Sequence, residues 1–178
     1  PEIRFFFFFR DLDVSTFSCG HDDLDEFLIE DSMDYQRERL SVTRLAYIDS
    51  EIVGFFTLVT DCIDVKQVDP ENGRRGYPYR KYPAIKVARL ATSKKHQGNG
   101  IGSRMLHEIL TLTIMISEYV GCRIITVDAK PESVGFYERF GFKRVKSRRS
   151  DPIPLYMDYY RALEEERRLF YVAVTRAE

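Results

Sequence analysis

Apolar and polar residues along the chain follow patterns that predict strands and helices in turn. The run Phe5 to Phe9 is short, entirely apolar and typical of a buried first strand. Asp22 to Leu40 is predicted to be a helix, because its apolar residues recur near one face and Asp23 with Glu26 resembles a capping box. The first part of the chain therefore begins with a strand followed by a helix.

The next part is rich in β-branched and aromatic residues and predicts a hairpin. Ser41 to Ile48 and Glu51 to Thr60 flank Asp49-Ser50, a turn signal. Lys66 to Tyr82 is polar and punctuated by glycine and proline, which predicts a long loop, and Ala84 to Ala91 returns to strand.

The second half of the chain continues the alternation. Gly100 to Val120 is predicted to be a helix with Gly121 as its C-terminal glycine cap. The remaining predicted elements are a buried strand, a short helix ended by a glycine, a last strand and a helical tail: Arg123 to Val127, Pro131 to Phe140 with Gly141, Leu155 to Tyr159, and Arg161 to Glu178. This order predicts an α/β (α+β) fold, a mixed sheet flanked by helices.

Composition narrows the class of protein. The 178 residues are 44% hydrophobic and 31% charged, with a formal net charge of -1, which excludes a uniformly basic nucleic-acid binder but not a local basic patch. No apolar run reaches the roughly 18–20 residues that span a bilayer, and Phe5 to Phe9 is too short for a secretory signal. Three scattered cysteines favour free thiols over a disulfide framework or a zinc site. A cytoplasmic protein without a metal is expected.

A glycine-rich segment between a strand and a helix carries the chemistry. Glycines let backbone amides approach a ligand closely, and the N-terminus of the following helix favours an anion, so a phosphate-bearing ligand is expected at this segment. No lysine follows at the spacing of a P-loop, and Ser103 stands where a dinucleotide fingerprint needs glycine or alanine. The segment consists of Gln97, Gly98, Asn99, Gly100, Ile101, Gly102 and Ser103.

This segment resembles the signature Arg/Gln-x-x-Gly-x-Gly/Ala of the GNAT N-acetyltransferases. The preceding strand from Val87 to Thr92 and the later stretch from Ser133 to Phe142, with Phe136-Tyr137 before Gly141-Phe142, match two further family segments in the family's order. The resemblance implies a GNAT fold over residues 1–160, with a mostly antiparallel sheet whose splayed central strands hold acetyl-coenzyme A. Residues 161–178 form a tail of unassigned role.

The resemblance also implies which residues bind the acetyl donor, with coenzyme A as product. Family members grip the pyrophosphate with the glycine-rich loop and the thioester with the strand before it. The implied contacts are Leu90, Ala91, Thr92, Gln97, Gly98, Asn99, Gly100, Ile101, Gly102, Ser103, Ser133 and Tyr137. The sequence departs from the family at Lys130, where many members carry asparagine, and at Ser133, where alanine is usual.

GNAT enzymes transfer the acetyl group by direct attack of an amine on the thioester. The resemblance implies that the backbone N–H of Ala91 stabilises the oxyanion and that Tyr137 protonates the leaving thiolate. The reference pKa values, about 10 for a phenol and about 8.5 for a thiol, make that proton transfer only slightly uphill. The general base stays open among carboxylates, His21 and a chain of waters.

A basic loop bears on the acceptor. Four cations, Arg74, Arg75, Arg80 and Lys81, are interleaved with three tyrosines, a composition suited to RNA phosphates and bases but also to a solvated loop. Polyamines, antibiotics and protein N-termini stay open as acceptors, since one scaffold serves many substrates.

Three functions follow from these features. The first is an active N-acetyltransferase of a primary amine. The second is acetylation of the amino group of aminoacyl-tRNA, because Phe17 to Leu28 resembles a GNAT subgroup that includes such toxins. The third is an inactive GNAT module that serves as a nucleic-acid or helicase-associated adaptor, since residues 164–177 resemble a segment of superfamily-1 helicases. Transfer RNA and a homodimer are open as partners.

Overall fold

The computed structural model describes residues 2–8, 12–69, 78–146, 151–161 and 163–164. The chain forms two compact units, one built from residues 1–60 with 86–114 and the other from residues 61–85 with 115–178. In the described part of the chain, no helix is long and apolar enough to cross a membrane. The predicted fold class is confirmed: it is a mixed α/β structure in which helices flank a sheet.

Seven strands pair in the order β1-β2-β3-β4-β5-β7-β6. The pairs β1–β2, β2–β3, β5–β7 and β6–β7 are antiparallel. The starts of β4 and β5 meet where the Arg123 N–H donates to the Pro83 carbonyl over 3.1 Å. The strands are β1 Arg4–Phe7, β2 Val42–Ile48, β3 Glu51–Asp64, β4 Lys81–Thr92, β5 Ile124–Ala129, β6 Lys143–Arg144 and β7 Ile153–Asp158.

The helices include an irregular one. Between α1 and α2 the backbone forms a π-helix, Phe27–Asp31, in which the Ser32 N–H donates to the Phe27 carbonyl. In the part of the chain that the structure describes, short 3-10 turns occur at Val65–Gln67, Lys94–His96 and Pro131–Ser133. The α-helices are α1 Asp22–Glu26, α2 Ser32–Arg37, α3 Ile101–Ser117 and α4 Val134–Arg139.

Each unit has its own apolar cluster. In the first unit, Phe17 and Phe55 pack edge to face with ring centroids 5.4 Å apart, and Leu28 and Leu45 are fully buried beside them. Burial of each such side chain stabilises the fold by about 1.5–3 kcal/mol. Ala91 belongs to this cluster, so the end of β4 is fixed by core packing.

The second unit combines an apolar cluster with a buried ion pair. Ile124 and Tyr156 are buried in the cluster. The Arg123 guanidinium donates to Oδ2 of Asp158 from two nitrogens, over 3.1 and 2.9 Å, and the Asp158 side chain is only 2% exposed. This pair links the residue before β5 to the last residue of β7.

Three sequence predictions are wrong in detail. Strand β1 is not fully buried, since Phe6 and Phe7 are 46% and 48% exposed: β1 is an edge strand that pairs only with β2. The capping box at Asp23 is not formed: His21 is the N-cap residue and makes no side-chain cap. Helix α3 ends at Ser117, and Gly121 does not adopt the positive φ of a glycine cap.

Candidate active site

The glycine turn before α3 has the geometry of an anion cradle. Gly98 and Gly100 have φ of +80° and +76°, and a Cβ added at either would meet nothing within 4 Å. The first backbone hydrogen bond of α3 runs from the Arg104 N–H to the Gly100 carbonyl over 3.1 Å, so within the described residues the N–H groups of Gly98 and of residues 101–103 have no backbone acceptor. Unpaired N–H groups at the start of a 17-residue helix attract an anion through both hydrogen bonds and the helix dipole. The turn therefore fits a pyrophosphate.

The side chain of Gln97 braces the turn. Its amide nitrogen donates to the Cys19 carbonyl over 2.8 Å and to the Thr92 carbonyl over 3.4 Å. The Lys94 N–H donates to the Ser18 carbonyl over 2.8 Å, which attaches the same turn to the segment before α1. Asn99 and Gly100 are exposed on the turn, whereas Ile101 is buried at the first position of the helix and anchors it. Because the Gln97 amide already donates these two hydrogen bonds, we expect backbone N–H groups of the turn to donate hydrogen bonds to a ligand.

The residues implied to hold the thioester lie at the end of β4. Leu90 and Thr92 are half-buried, and Ala91 is 4% exposed. Gly54 on β3 makes room for this strand: a Cβ there would stand 2.8 Å from the Ala91 carbonyl oxygen and 2.9 Å from Cε of Met105. The absence of a side chain at residue 54 thus sets the position of the Ala91 backbone.

Tyr137 occupies the buried face of α4. Its ring packs edge to face against Phe136 and Phe142, with centroids 5.1 and 5.4 Å away. Burial raises the pKa of Tyr137 far above its usual value, so the phenol stays protonated at every physiological pH. Among the described residues none hydrogen-bonds its hydroxyl. Gly141, with φ of +89°, ends the helix as predicted.

Ser133 precedes α4 in a 3-10 turn. Its N–H donates to the Lys130 carbonyl over 2.8 Å, and its side chain is half-buried. The turn therefore keeps a regular backbone despite the two family departures at these positions.

Only half of the basic loop lies in the described residues. Arg80 and Lys81 are exposed at the start of β4, where the Arg80 carbonyl accepts from the Val65 N–H over 2.9 Å. Arg74 and Arg75 lie outside the described residues, as does the helicase-like segment from residue 165 onward.

Arg89 is a site feature that the sequence reasoning mentioned only as part of a matching strand. Its guanidinium carbon lies 3.5 Å from the centroid of the Phe27 ring. Burial lowers the pKa of Arg89, while the charges of Tyr35, Asp31 and Asp23 raise it in part. A single charged residue among the mostly apolar residues from Val87 to Thr92 was the available signal.

Comparison with known proteins identifies the family. Residues 21–153 match the family model of the acetyltransferase (GNAT) domain. A tRNA-acetylating toxin of Mycobacterium tuberculosis is 30% identical over 132 residues, which are 74% of this chain and 78% of the toxin. The chain is therefore a member of the GNAT acetyltransferases, enzymes that take the acetyl group from acetyl-coenzyme A.

Solved structures share the fold. AtaT complexed with acetyl-methionyl-tRNAfMet is 20% identical, with a TM-score of 0.82 over 92% of this chain and 98% of that one. An AtaT variant bound to the C-terminus of the antitoxin AtaR and to acetyl-coenzyme A is 19% identical, with a TM-score of 0.71 over 88% of this chain and 93% of that one. The GNAT fold and an acetyl-coenzyme A-dependent acetyltransferase, both expected from the motifs, are confirmed.

Proposed function

We propose that this enzyme acetylates the α-amino group of aminoacyl-tRNA in the cytoplasm, in the manner of a toxin. The observation that carries the proposal is the 30% identity to a tRNA-acetylating toxin over 74% of the chain. The GNAT domain extends over residues 1–160 in this proposal, and residues 161–178 form an appended tail. A homodimer stays a prediction.

Acetyl-coenzyme A supplies the activated acetyl group. The N–H groups of the glycine turn from Gly98 to Ser103 hold its pyrophosphate, and Leu90, Thr92 and Ser133 contact its pantetheine arm. The open space at Gly98 and Gly100 and the unpaired N–H groups support this assignment.

Two groups of the chain act on the reacting atoms in this proposal. The Ala91 N–H stabilises the oxyanion that forms when the amine attacks the thioester carbonyl. As the carbon–sulfur bond breaks, Tyr137 donates its phenolic proton to the departing thiolate; the ammonium proton leaves to solvent, and a proton from solvent restores the phenol. Burial raises the pKa of Tyr137, so the phenol of the resting enzyme is protonated at neutral pH and has a proton to donate, while the same burial makes it a weaker acid.

The basic loop binds the RNA. Arg80 and Lys81 are exposed at its end and carry positive charges that attract phosphates, and Arg74 and Arg75 complete the set. A polyamine acceptor predicts the opposite effect, because a basic loop repels a cation.

The test measures acetylation of charged tRNA and of spermidine. Replacing all four cations of the loop by alanine is expected to leave acetyl-coenzyme A affinity unchanged and to weaken transfer to tRNA steeply. Four phosphate contacts correspond to a slope of log affinity against log salt of about -3 to -4, so raising the salt concentration should act like the substitutions.

A second loop variant carries only Arg80→Ala and Lys81→Ala. Its matched control carries Arg37→Ala and Lys143→Ala, which remove two exposed cations outside the loop. Only the loop pair should reduce the salt slope. Acetylation of spermidine with no acetylation of charged tRNA by the wild type would refute the RNA acceptor.

A further inference from the structure

Arg89 sits on the strand that carries the Ala91 backbone, two residues before it. In an extended strand the two Cα atoms are about 7 Å apart. Arg89 is half-buried, and Phe27, over which its guanidinium lies at 3.5 Å, is 2% exposed. The arginine therefore covers an aromatic ring in the interior and has one side toward solvent.

The π-helix positions the aromatic ring over which this arginine lies. Phe27 and Tyr35 are eight positions apart, which in a regular α-helix separates them by about 80° around the axis. The π segment Phe27–Asp31 absorbs one extra residue and brings the two onto nearly the same face. Their rings consequently pack edge to face with centroids 5.7 Å apart. Such π segments are enriched at functional sites, where they aim particular side chains.

The guanidinium is held in place but its hydrogen-bonding capacity is not used. Among the described residues, no group accepts a hydrogen bond from Arg89 or forms an ion pair with it. Asp23, Asp31 and Tyr35 act on Arg89 only through longer-range charge. A stacked guanidinium whose plane is fixed presents its edge N–H groups as a fork, the geometry that binds a phosphate or carboxylate through two parallel hydrogen bonds.

We propose that Arg89 recognises the acceptor by binding the 5′-phosphate of the 3′-terminal nucleotide of aminoacyl-tRNA. This inference rests on the function proposed above. The amino acid of such a substrate has no free carboxylate, because it is esterified to the ribose, so the nearest anion is that phosphate.

The length of the substrate agrees with this placement. The amine nitrogen and the phosphorus are joined by about eight bonds, or roughly 9–10 Å when extended. An arginine side chain that starts about 7 Å from Ala91 along the strand can hold an anion at a comparable distance from the Ala91 N–H. Arg89 is thus a specificity residue, because it favours substrates whose first phosphate lies at this distance from the reactive amine.

The test uses two stable mimics of the tRNA end, each an aminoacyl amide of 3′-amino-3′-deoxyadenosine with a free α-amine. One mimic carries a 5′-phosphate and the other does not. The wild type is expected to acetylate the phosphorylated mimic with a kcat/KM about 10- to 100-fold higher, mostly through KM, as for one bidentate charge-assisted contact. Arg89→Gln should remove this preference, and Arg89→Lys should keep part of it.

Arg37→Gln is the matched control, because it removes an equal charge at an exposed position on α2, the helix that also carries Tyr35. It should leave the phosphate preference intact. For full-length charged tRNA, Arg89→Gln should reduce the salt slope by about 0.7. Acetyl-coenzyme A affinity and melting temperature of each variant show that it is folded.

Three outcomes decide the inference. A wild type that acetylates charged tRNA but treats the two mimics alike refutes the role of Arg89 and leaves the proposed function standing, with no variant needed. Equal losses on both mimics in Arg89→Gln also refute it, since that pattern marks a structural role. A wild type that acetylates no charged tRNA overturns the proposed function itself.

Discussion

Replacing Gly100 by alanine tests whether the glycine turn binds the acetyl donor. Gly100 has φ of +76°, and the added Cβ would point into open space. The left-handed conformation costs an L-residue about 1–2 kcal/mol, which in a chain of this size lowers the melting temperature by roughly 2–8 °C. The methyl group would also stand where the pyrophosphate approaches the backbone.

We expect the affinity for acetyl-coenzyme A, measured by isothermal titration calorimetry, to fall more than tenfold, or by about 1.4 kcal/mol or more. Gly100→Val, with a larger side chain, should weaken binding further. Two controls separate strain from contact with the ligand. Gly141→Ala meets the same strain, with φ of +89° and open space, and should lower stability without changing the affinity. Gly121→Ala has open space without a positive φ and should change neither.

An unchanged acetyl-coenzyme A affinity in folded Gly100→Ala and Gly100→Val would show that the donor binds elsewhere. Equal losses of affinity in Gly100→Ala and Gly141→Ala would assign the effect to general destabilisation.

Three further predictions concern the second unit. Tyr137→Phe should lower kcat by about 10²–10⁴-fold while acetyl-coenzyme A affinity stays nearly intact, and a full-speed variant would reduce Tyr137 to a packing residue. Because burial raises the Tyr137 pKa, the wild-type rate should show no loss from tyrosine ionisation as the pH rises from 7 to 10, whereas such a loss would contradict the buried phenol. Asp158→Ala leaves the Arg123 guanidinium without its buried partner and should reduce the free energy of unfolding by about 3–5 kcal/mol in urea titrations. The double variant Arg123→Met with Asp158→Leu should recover most of this loss, and a single variant as stable as the wild type would contradict the ion pair's role.

Local signals predicted the elements that local chemistry decides. The Asp49-Ser50 turn, the glycine turn before α3 and the end of α4 at Gly141 follow from residues that favour particular backbone angles, and each lies where the sequence predicted it. The donor site stays a prediction that rests on the same kind of signal, since unpaired N–H groups at a helix start need only glycines at the right spacing.

Tertiary packing decided the rest. The sequence of Asp22 to Leu40 has one continuous helical pattern, but a π-helix interrupts it at Phe27–Asp31, where the Phe27 ring contacts Arg89 of a distant strand that no local pattern contains. Exposure of Phe6 and Phe7 depends on β1 being an edge strand, which is a property of strand order rather than of composition. The carboxylate of Asp25, not a capping box, organises the start of α1: it accepts from the Cys19 N–H over 2.8 Å.

The brace made by Gln97 has a consequence for how the two substrates are recognised. Through the Cys19 carbonyl and the Asp25 carboxylate, the turn proposed to hold the donor is connected to the helical segment whose Phe27 contacts Arg89. Three hydrogen-bonded residues thus connect the donor turn to the acceptor helix within one compact unit. If both proposed sites hold, a substitution at Gln97, Cys19 or Asp25 is expected to alter both donor affinity and acceptor selectivity. We therefore expect a related protein that evolves toward a new acceptor to keep these hydrogen bonds or to replace them with others.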